Sequence, residues 1–553
     1  MSRTQARIAL GLLILVACLL AASTWRVYSN TWDEPEHLAA GIELLDKGRY
    51  EYDTEHPPIV RIFMALGPYL AGARSFGTPP PDGVLEGIDI LYTGGHYELF
   101  LTLARLGTLP FLALLLYSVW LWGRRSAISP VEALLAVLLT ASVPPILGHA
   151  GLATLDVAAA GTVLLALFAA QCWLSSASWK DAVFCGLATG LAVGSKFSAV
   201  PFLVLGYAVL AITHIVIHKS PGPINQRLRD LAVILVTTLV PLALAYGIRS
   251  PPSGVAHKFD WAVAFLLREH GLSHDAGVLL QHLWLPQWVQ GLLEGIIAIK
   301  AHNDAGHLSF LLGQLRSTGW WYFYLVALAT KTPIPLLVLG PVGMVMLARE
   351  GWRERDGWRI APLILFLTVL VFASCFSHIN IGIRHVLVLY PFMALGAAYL
   401  VVHLWRTLRA TIVGPLAIVG SGVLVVVVAW QVLTFWTANP DYLPYFNEAV
   451  AHPEAILVDS DLDWGQDLRR LEERAAAIKI PKLNLAYLGT PDLTREPLPP
   501  YVLLAPGQQA TGWIAVSALA RAHYPKGYAW LNDYQPMEMI GKTIWLYYIP
   551  PPR

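Results

Sequence analysis

Long apolar segments alternate with short polar ones along most of the chain. A membrane-spanning helix needs about 20 mostly apolar residues, and Leu, Val, Ala and Ile dominate runs of about that length up to residue 436. We therefore predict about eleven transmembrane helices, over residues 8–24, 97–122, 130–148, 152–174, 182–195, 198–217, 231–248, 326–348, 360–376, 386–404 and 411–436.

The short polar connections fix an orientation for these spans. Lys and Arg gather in the short cytoplasmic loops of membrane proteins. A cytoplasmic N-terminus places the basic connections at 124–125, 349–359 and 406–409 on the inner side. The long loops 25–96 and 249–325 and the tail after residue 436 then lie on the outer side.

The outer segments contain predicted elements of their own. Loop 25–96 has two predicted helices, over 34–47 and 57–72, and loop 249–325 has an apolar stretch at about 276–300. In the tail, the runs 455–459 and 543–549 are predicted strands, since β-branched and aromatic residues favour strands, and 466–478 is a predicted helix. We predict two domains: a membrane domain over 1–436 and a small outer α/β domain over 437–553.

Composition excludes several classes of protein. Of the 553 residues, 56% are hydrophobic and 14% are charged, whereas soluble domains have about 25% charged residues. This excludes a disordered, collagenous or ordinary cytosolic protein. The net charge of +1 supplies no basic field for nucleic acid. The four cysteines all lie in apolar runs, which excludes a disulfide scaffold.

Acidic residues at the outer ends of predicted spans are candidates for chemistry. Asp33 and Glu34 follow the first span, and Asp156 begins the fourth. Each has a plain structural interpretation, because a carboxylate at a helix N-terminus caps the helix or favours its dipole. Each also has a functional one, as a general base at the mouth of a cleft that faces lipid. Both can hold together.

Four basic residues are predicted on the same side. Lys196 lies between two short spans, Lys331 interrupts an apolar stretch, and Arg384 and His385 precede the tenth span. A cation at this depth needs an anionic partner. A lipid headgroup or a local carboxylate is one partner, and a bound phosphate is the other. Several cations on one face with two carboxylates favour a phosphate-bearing lipid.

The order of these short motifs resembles the GT-C membrane glycosyltransferases. The subgroup that it resembles most is the bacterial dolichyl-phosphate-mannose–protein mannosyltransferase-like proteins (glycosyltransferase family 39, grouped with the aminoarabinose transferases). The motifs are Asp33-Glu34, Glu55-His56-Pro57-Pro58, Thr154-Leu155-Asp156, Gly194-Ser195-Lys196, Lys331-Thr332-Pro333, Ile383-Arg384-His385 before Tyr390-Pro391, and the tail motif Asp461-Leu462-Asp463-Trp464-Gly465-Gln466-Asp467.

The resemblance implies a GT-C fold in a bacterial inner membrane and an inverting transfer of a sugar from a polyprenyl-phosphate donor to a hydroxyl acceptor. Asp33 would be the base, with Glu34 in support, and Asp156 would orient the acceptor or hold a divalent metal. His56 and Arg61 would support the site. The cations Lys196, Lys331, Arg384 and His385 would bind the donor phosphate. No other cofactor is expected.

Two further interpretations stay open at this stage. A lipid or solute transporter would also have many spans and intramembrane charges, but it predicts paired broken helices in two related halves. A scaffold whose outer tail binds a partner is the third. The long loops on one side of the membrane, with acidic residues at the ends of the spans, favour an enzyme that acts at the membrane surface.

Overall fold

Helices make up most of the molecule. The computed structural model describes residues 2–78, 82–126, 129–176, 178–218, 224–247, 286–411 and 415–551. The α-helices in these ranges are Arg3–Ser23, Glu34–Lys47, Pro58–Leu70, Gly83–Tyr92, Tyr97–Leu106, Leu109–Ser126, Pro130–Ala141, Pro144–Ala150, Asp156–Ser176, Trp179–Val193, Ala199–His218, Ile224–Gly247, Gln287–Ala305, Phe323–Lys331, Ile334–Glu354, Gly357–Phe376, Leu389–Thr411, Pro415–Ala438, Leu468–Ala477 and Ala518–His523.

The predicted spans coincide with helices, which makes the chain a multi-pass membrane protein. Within the described ranges, eight helical stretches are long and apolar enough to cross a membrane. A ninth exists if Pro130–Ala141 and Pro144–Ala150, bent by 67°, form one span. The other two of the eleven predicted segments correspond to the short helix Trp179–Val193 and to Leu389–Thr411, neither of which meets those criteria.

The helix Leu389–Thr411 lies at the centre of the helical part. Its first half is buried among other helices, so its Tyr and Pro residues are shielded from lipid. It packs tightly on Ile334–Glu354 through glycines, because a Cβ at Gly343 would lie 1.9 Å from the Gly396 carbonyl oxygen. Small residues allow this close approach of helix backbones in membrane proteins.

The two helices predicted in the loop 25–96 are confirmed. Glu34–Lys47 and Pro58–Leu70 match the two predicted in the first loop, and a further helix that was not predicted, Gly83–Tyr92, follows them. The helix Pro58–Leu70 has Pro at its first position, which suits a helix start. Of the predicted stretch 276–300, residues 276–285 lie outside the described ranges, and the remainder belongs to Gln287–Ala305.

The C-terminal region contains a five-stranded mixed sheet. In chain order, the strands β1 to β7 of the described residues are Ser309–Leu311, Gln314–Arg316, Leu483–Ala486, Tyr501–Leu503, Gly512–Ser517, Glu538–Ile540 and Ile544–Ile549. The sheet has the order β4-β3-β5-β7-β6. Strand β3 pairs in parallel with β4 and β5, and β7 pairs antiparallel with β5 and β6. A separate hairpin, β1–β2, precedes it in the chain.

One predicted strand in the tail is wrong. The run 455–459 extends from the last residue of one short 3-10 helix, Pro453–Ala455, to the first residue of another, Asp459–Asp461, instead of pairing with a strand. Its apolar residues serve packing: Leu457 is buried in the core of the helical part and Val458 in the core beside the sheet. The predicted helix 466–478 and strand 543–549 are confirmed as Leu468–Ala477 and Ile544–Ile549.

Candidate active site

A cavity of about 1000 Å³ opens where the loop 25–96, several span ends and the tail meet. Both charged or polar groups and apolar side chains line its wall. The charged and polar group includes Asp33, Glu36, Lys196, Arg384, His385 and Asp459, and the apolar group includes Phe197, Phe202, Ile299, Phe372 and Phe376.

Asp33 lies directly before the helix Glu34–Lys47, where a capping role was one of its two interpretations. Within the described ranges its side chain makes no capping hydrogen bond. Instead, its Oδ2 accepts a hydrogen bond of 2.7 Å from Nη1 of Arg384. The side chain is 23% exposed and lines the cavity. Asp33 is therefore an accessible carboxylate held by a cation.

Asp156 contacts two of the cations that line the cavity, Lys196 and Arg384. Its Oδ1 accepts a hydrogen bond of 2.6 Å from Lys196 Nζ, and its Oδ2 lies 3.6 Å from Arg384 Nη1. The Asp156 side chain is only 1% exposed and lines a small void behind the main cavity. A buried carboxylate between two cations offsets their mutual repulsion, so Asp156 fixes Lys196 and Arg384 in place.

Arg384 and His385 lie in the 3-10 turn Ile383–Val386, which precedes the central helix. Burial opposes the charge on Arg384, but Asp33 and Asp156 raise its pKa. Burial, together with Lys196 and Arg384, lowers the pKa of His385 well below its usual value, so this imidazole is neutral. Among the described residues, Arg384 Nε and His385 Nε2 have no hydrogen-bond partner.

Glu34 faces away from the cavity. Its two carboxylate oxygens accept hydrogen bonds of 2.8 Å each from Nε and Nη2 of Arg105, and the backbone N–H groups of Thr31 and Ala153 donate to it at 2.7 Å. The side chain is 1% exposed. Glu34 thus anchors the loop that carries Asp33 to the membrane helices, rather than meeting a ligand.

Lys331 is also placed away from the cavity. Its Nζ donates to the carbonyl oxygens of Leu443, at 2.9 Å, and Asp461, and lies 4.4 Å from the centre of the Phe446 ring. Burial lowers its pKa to about 8, although Asp461 opposes the change. Lys331, which was predicted to bind the donor phosphate, therefore binds the tail of its own chain instead.

Arg61 and His56 belong to one buried network beside the cavity. Arg61 donates to Asp53 and to His37, and His56 Nδ1 lies 2.9 Å from Asp53 Oδ2. Burial alone would raise the pKa of Asp53, but Arg61 and His56 hold it well below its usual range. Of these residues, His37, Asp53 and His56 line the cavity.

The cavity also contains residues that sequence analysis did not assign to it. Trp464 from the tail covers the Arg384 guanidinium at 4.3 Å, and Glu36 has its pKa raised to about 8, chiefly by burial and by Asp53. Trp464 belongs to the tail motif already singled out by resemblance, so a signal existed. In the described ranges, no group of three His, Cys, Asp or Glu side chains is placed to hold a metal ion.

Comparisons with known proteins identify the fold. The S. cerevisiae protein O-mannosyltransferase Pmt1-Pmt2 complex bound to the sugar donor is 11% identical, with a TM-score of 0.51 over 80% of this chain and 90% of that chain. ArnT from Cupriavidus metallidurans bound to undecaprenyl phosphate is 14% identical, with a TM-score of 0.47 over 99% and 98%. No protein-family model and no curated protein matches. The similarity to Pmt1-Pmt2 supports the GT-C fold that the sequence predicts.

Proposed function

We propose that this GT-C chain is an inverting glycosyltransferase. It moves a sugar from a polyprenyl-phosphate donor to a hydroxyl acceptor on the outer face of a bacterial inner membrane, with its N-terminus in the cytoplasm and its tail in the periplasm. The structurally similar Pmt1-Pmt2 complex is described with its sugar donor bound, which is consistent with this class of reaction.

The contact between Asp33 and Arg384 carries the proposal. It places a carboxylate that can accept a proton 2.7 Å from a cation that can bind a phosphate, on the wall of one cavity. Lys196 adds a second cation through the shared partner Asp156. A base and an anion site in one cavity are what a transfer from a phosphate leaving group requires.

The apolar part of the cavity fits the lipid portion of such a donor. Phe202 lies on the candidate span Ala199–His218, and Phe372 and Phe376 lie on Gly357–Phe376. The rings of Phe202 and Phe372 meet edge to face at 5.9 Å. An isoprenoid chain next to these rings would leave its phosphate at the charged end.

The reaction then proceeds in one displacement. Asp33 takes the proton of the acceptor hydroxyl, and the oxygen forms a bond to the anomeric carbon as the bond to the phosphate oxygen breaks. The electron pair leaves with the polyprenyl phosphate, and the anomeric configuration inverts. Arg384 and Lys196 stabilise the charge that develops on the phosphate, and Asp156 keeps both cations in place. We assign His385, which lines the same cavity, a supporting hydrogen bond to the phosphate.

A lipid or solute transporter is the alternative. It would move its substrate across the membrane unchanged, so vesicles that contain the purified protein would show flux without a glycosylated product. The accessible carboxylate beside two cations favours group transfer, since a transporter does not need a base next to its anion site.

The Asp33→Asn variant tests the proposed base. Asparagine keeps the shape and can still accept a hydrogen bond from Arg384, but it cannot take a proton at neutral pH. We expect transfer to fall by at least about 100-fold, in the range of lost general-base catalysis, while insertion and binding of the donor persist. Transfer is measured with the polyprenyl-phosphate sugars of the host in proteoliposomes.

Donor binding separates this outcome from a damaged protein. Binding of polyprenyl phosphate to wild type and to the variant is compared by thermal stabilisation in detergent. Transfer by Asp33→Asn at close to the wild-type rate would contradict the assignment of the base. Loss of binding together with activity would show that Asp33 holds the site together instead.

A further inference from the structure

A segment of the tail, residues 459–466, lies between the two parts of the chain that carry Asp33 and Arg384. We call this segment the tail clamp. On one side its backbone pairs with the segment before Asp33: the Ser29 N–H donates to the Gln466 carbonyl at 3.0 Å, and the Trp32 N–H donates to the Trp464 carbonyl at 3.1 Å. Asp33 is thus one residue from a backbone contact with the tail.

On its other side the tail clamp binds the turn before Arg384. The Ile383 N–H donates to Asp461 Oδ1 at 3.0 Å, and the Ser460 hydroxyl donates to the Ile381 carbonyl. Between them lies Gly382, whose φ of 151° and close contact exclude a side chain, since a Cβ there would lie 2.2 Å from Ser460 Oγ. This half of the clamp fixes the backbone that precedes the guanidinium.

Trp464 contacts Arg384 directly. Its ring lies 4.3 Å from the guanidinium carbon and is 2% exposed. A cation over an indole face is attracted by the ring quadrupole, most strongly where water is excluded. The indole therefore limits the directions in which Arg384 can point, and leaves it directed at Asp33 and the cavity.

The tail clamp is itself tied down at several points. Lys331 donates to the Asp461 carbonyl, and the Leu519 N–H donates to Asp463 Oδ2 at 2.7 Å. The first contact joins the clamp to the helical part and the second joins it to the C-terminal region with the sheet. The clamp is therefore a fixed connection rather than a loop that rests on the cavity.

We infer that the tail clamp is part of the active site and that Trp464 and Asp461 are positioning residues for the transfer. They set the separation of Asp33 from Arg384 and direct the guanidinium at the donor phosphate. This inference rests on the proposed function and goes beyond it, since it assigns the tail a role in the reaction. A tail that only binds a partner would have no reason to pair with both site segments.

Paired substitutions at Trp464 test the inference in the full-length protein. Trp464→Leu removes the aromatic face, and we expect the KM for the polyprenyl-phosphate sugar to rise about tenfold, while the KM for the acceptor is unchanged. Trp464→Phe keeps an aromatic face and should restore most of the wild-type value. Trp513→Leu is the matched control, because Trp513 packs on Tyr548 in the sheet and does not line the cavity; it should transfer like wild type.

A second pair at Asp461 uses the hydrogen bond to Ile383. Asp461→Asn keeps a carbonyl oxygen that can accept this bond and should remain active. Asp461→Leu loses the acceptor, and we expect kcat to fall about 100-fold, as for a small misplacement of a reacting group. Size-exclusion profiles and thermal midpoints in detergent are measured to check that each variant is folded.

The outcomes separate the two proposals. Wild type without transfer would overturn the proposed function and this inference with it. An active wild type whose folded Trp464→Leu variant keeps the wild-type donor KM would overturn the inference alone. Equal losses in Trp464→Leu, Trp464→Phe and Trp513→Leu would also overturn it, since they would reveal a general effect on folding.

Discussion

Two adjacent carboxylates in the loop 25–96 have opposite surroundings. The Asp33 side chain is 23% exposed and contacts a single cation at the cavity wall. The Glu34 side chain is 1% exposed and accepts several hydrogen bonds from groups that do not line the cavity. Successive residues at a helix start point about 100° apart. Asp33 can therefore face a ligand while Glu34 anchors the loop. We expect substitutions at the two positions to have different effects.

The Glu34→Gln variant should lose stability. The amide keeps one acceptor but removes the charge that pairs with Arg105. The guanidinium would keep its hydrogen bonds to the Tyr28 and Ser29 carbonyls, but it would be buried without a counter-charge. Breaking one half of a buried ion pair costs about 3–5 kcal/mol. We expect the free energy of unfolding in detergent to fall by that amount, as measured by denaturant titration.

Asp33→Asn is the matched control at the neighbouring position. It should unfold at nearly the wild-type denaturant concentration, because its side chain is partly exposed and has one partner. A stable but inactive Glu34→Gln variant would contradict the assignment of Glu34 to structure, and would make it a candidate for the chemistry.

At the scale of elements, the C-terminal region depends on buried carboxylates. Asp463 accepts hydrogen bonds from the N–H groups of Leu519 and Gly465, and Asp467 accepts them from Lys542 and Thr543. Burial raises the pKa of Asp463 to about 7 and that of Asp467 to about 6, although these hydrogen bonds oppose the change. Both groups should therefore link the stability of this region to pH.

The sign of that dependence follows from the pKa of Asp463. In an unfolded chain an Asp titrates near about 3.9, so between pH 4 and pH 7 the folded state holds the proton more tightly. Its contribution is fully present below about pH 4 and is lost as the pH rises through about 7. We expect amide exchange of the strand Gly512–Ser517, corrected for intrinsic rates, to reveal declining stability over this range.

The Asp463→Asn variant is the control for this pH effect. It cannot titrate, so its stability should vary less between pH 4 and pH 7, with the remainder due to neighbouring acids such as Asp467. A dependence on pH that is unchanged by the substitution would show that other groups cause it.

Sequence patterns predicted the elements better than the contacts between them. Apolar runs locate the spans because lipid requires a long apolar surface, and all eleven predicted segments coincide with helices. The tail run 455–459 misled the prediction because its Leu457 and Val458 are apolar for packing, not for pairing in a sheet.

The sequence predicted which site residues share one side of the membrane and carry charge, but not which of them are in contact. Charges are rare near span ends, which drew attention to Asp33, Asp156, Lys196 and Arg384, and the structure brings these four together. Sequence could not reveal that Lys331 faces the tail, because its partners are backbone carbonyls. Trp464 was missed as a site residue, although its motif was singled out by resemblance, because the sequence does not show which cation an indole contacts.

At the scale of the whole molecule, the tail returns to the end of the helical part where the charges meet. Its segment 459–466 pairs with the loop that carries Asp33 and with the turn that carries Arg384. The cavity therefore has walls from the loop 25–96, the span ends and the tail, and both apolar rings and charged groups line it. Such a cavity suits a substrate that is both lipid and anion.

The most direct measurement is the profile of lipid-linked sugars and glycans in a strain that lacks this chain. If the chain transfers a sugar from a polyprenyl-phosphate donor, one such donor accumulates and one glycan on a protein, lipid or polymer is lost. Expression of the wild-type chain should reverse both changes, and expression of Asp33→Asn should reverse neither. Unchanged lipid-linked sugars in the deletion strain, or full reversal by Asp33→Asn, would contradict the account.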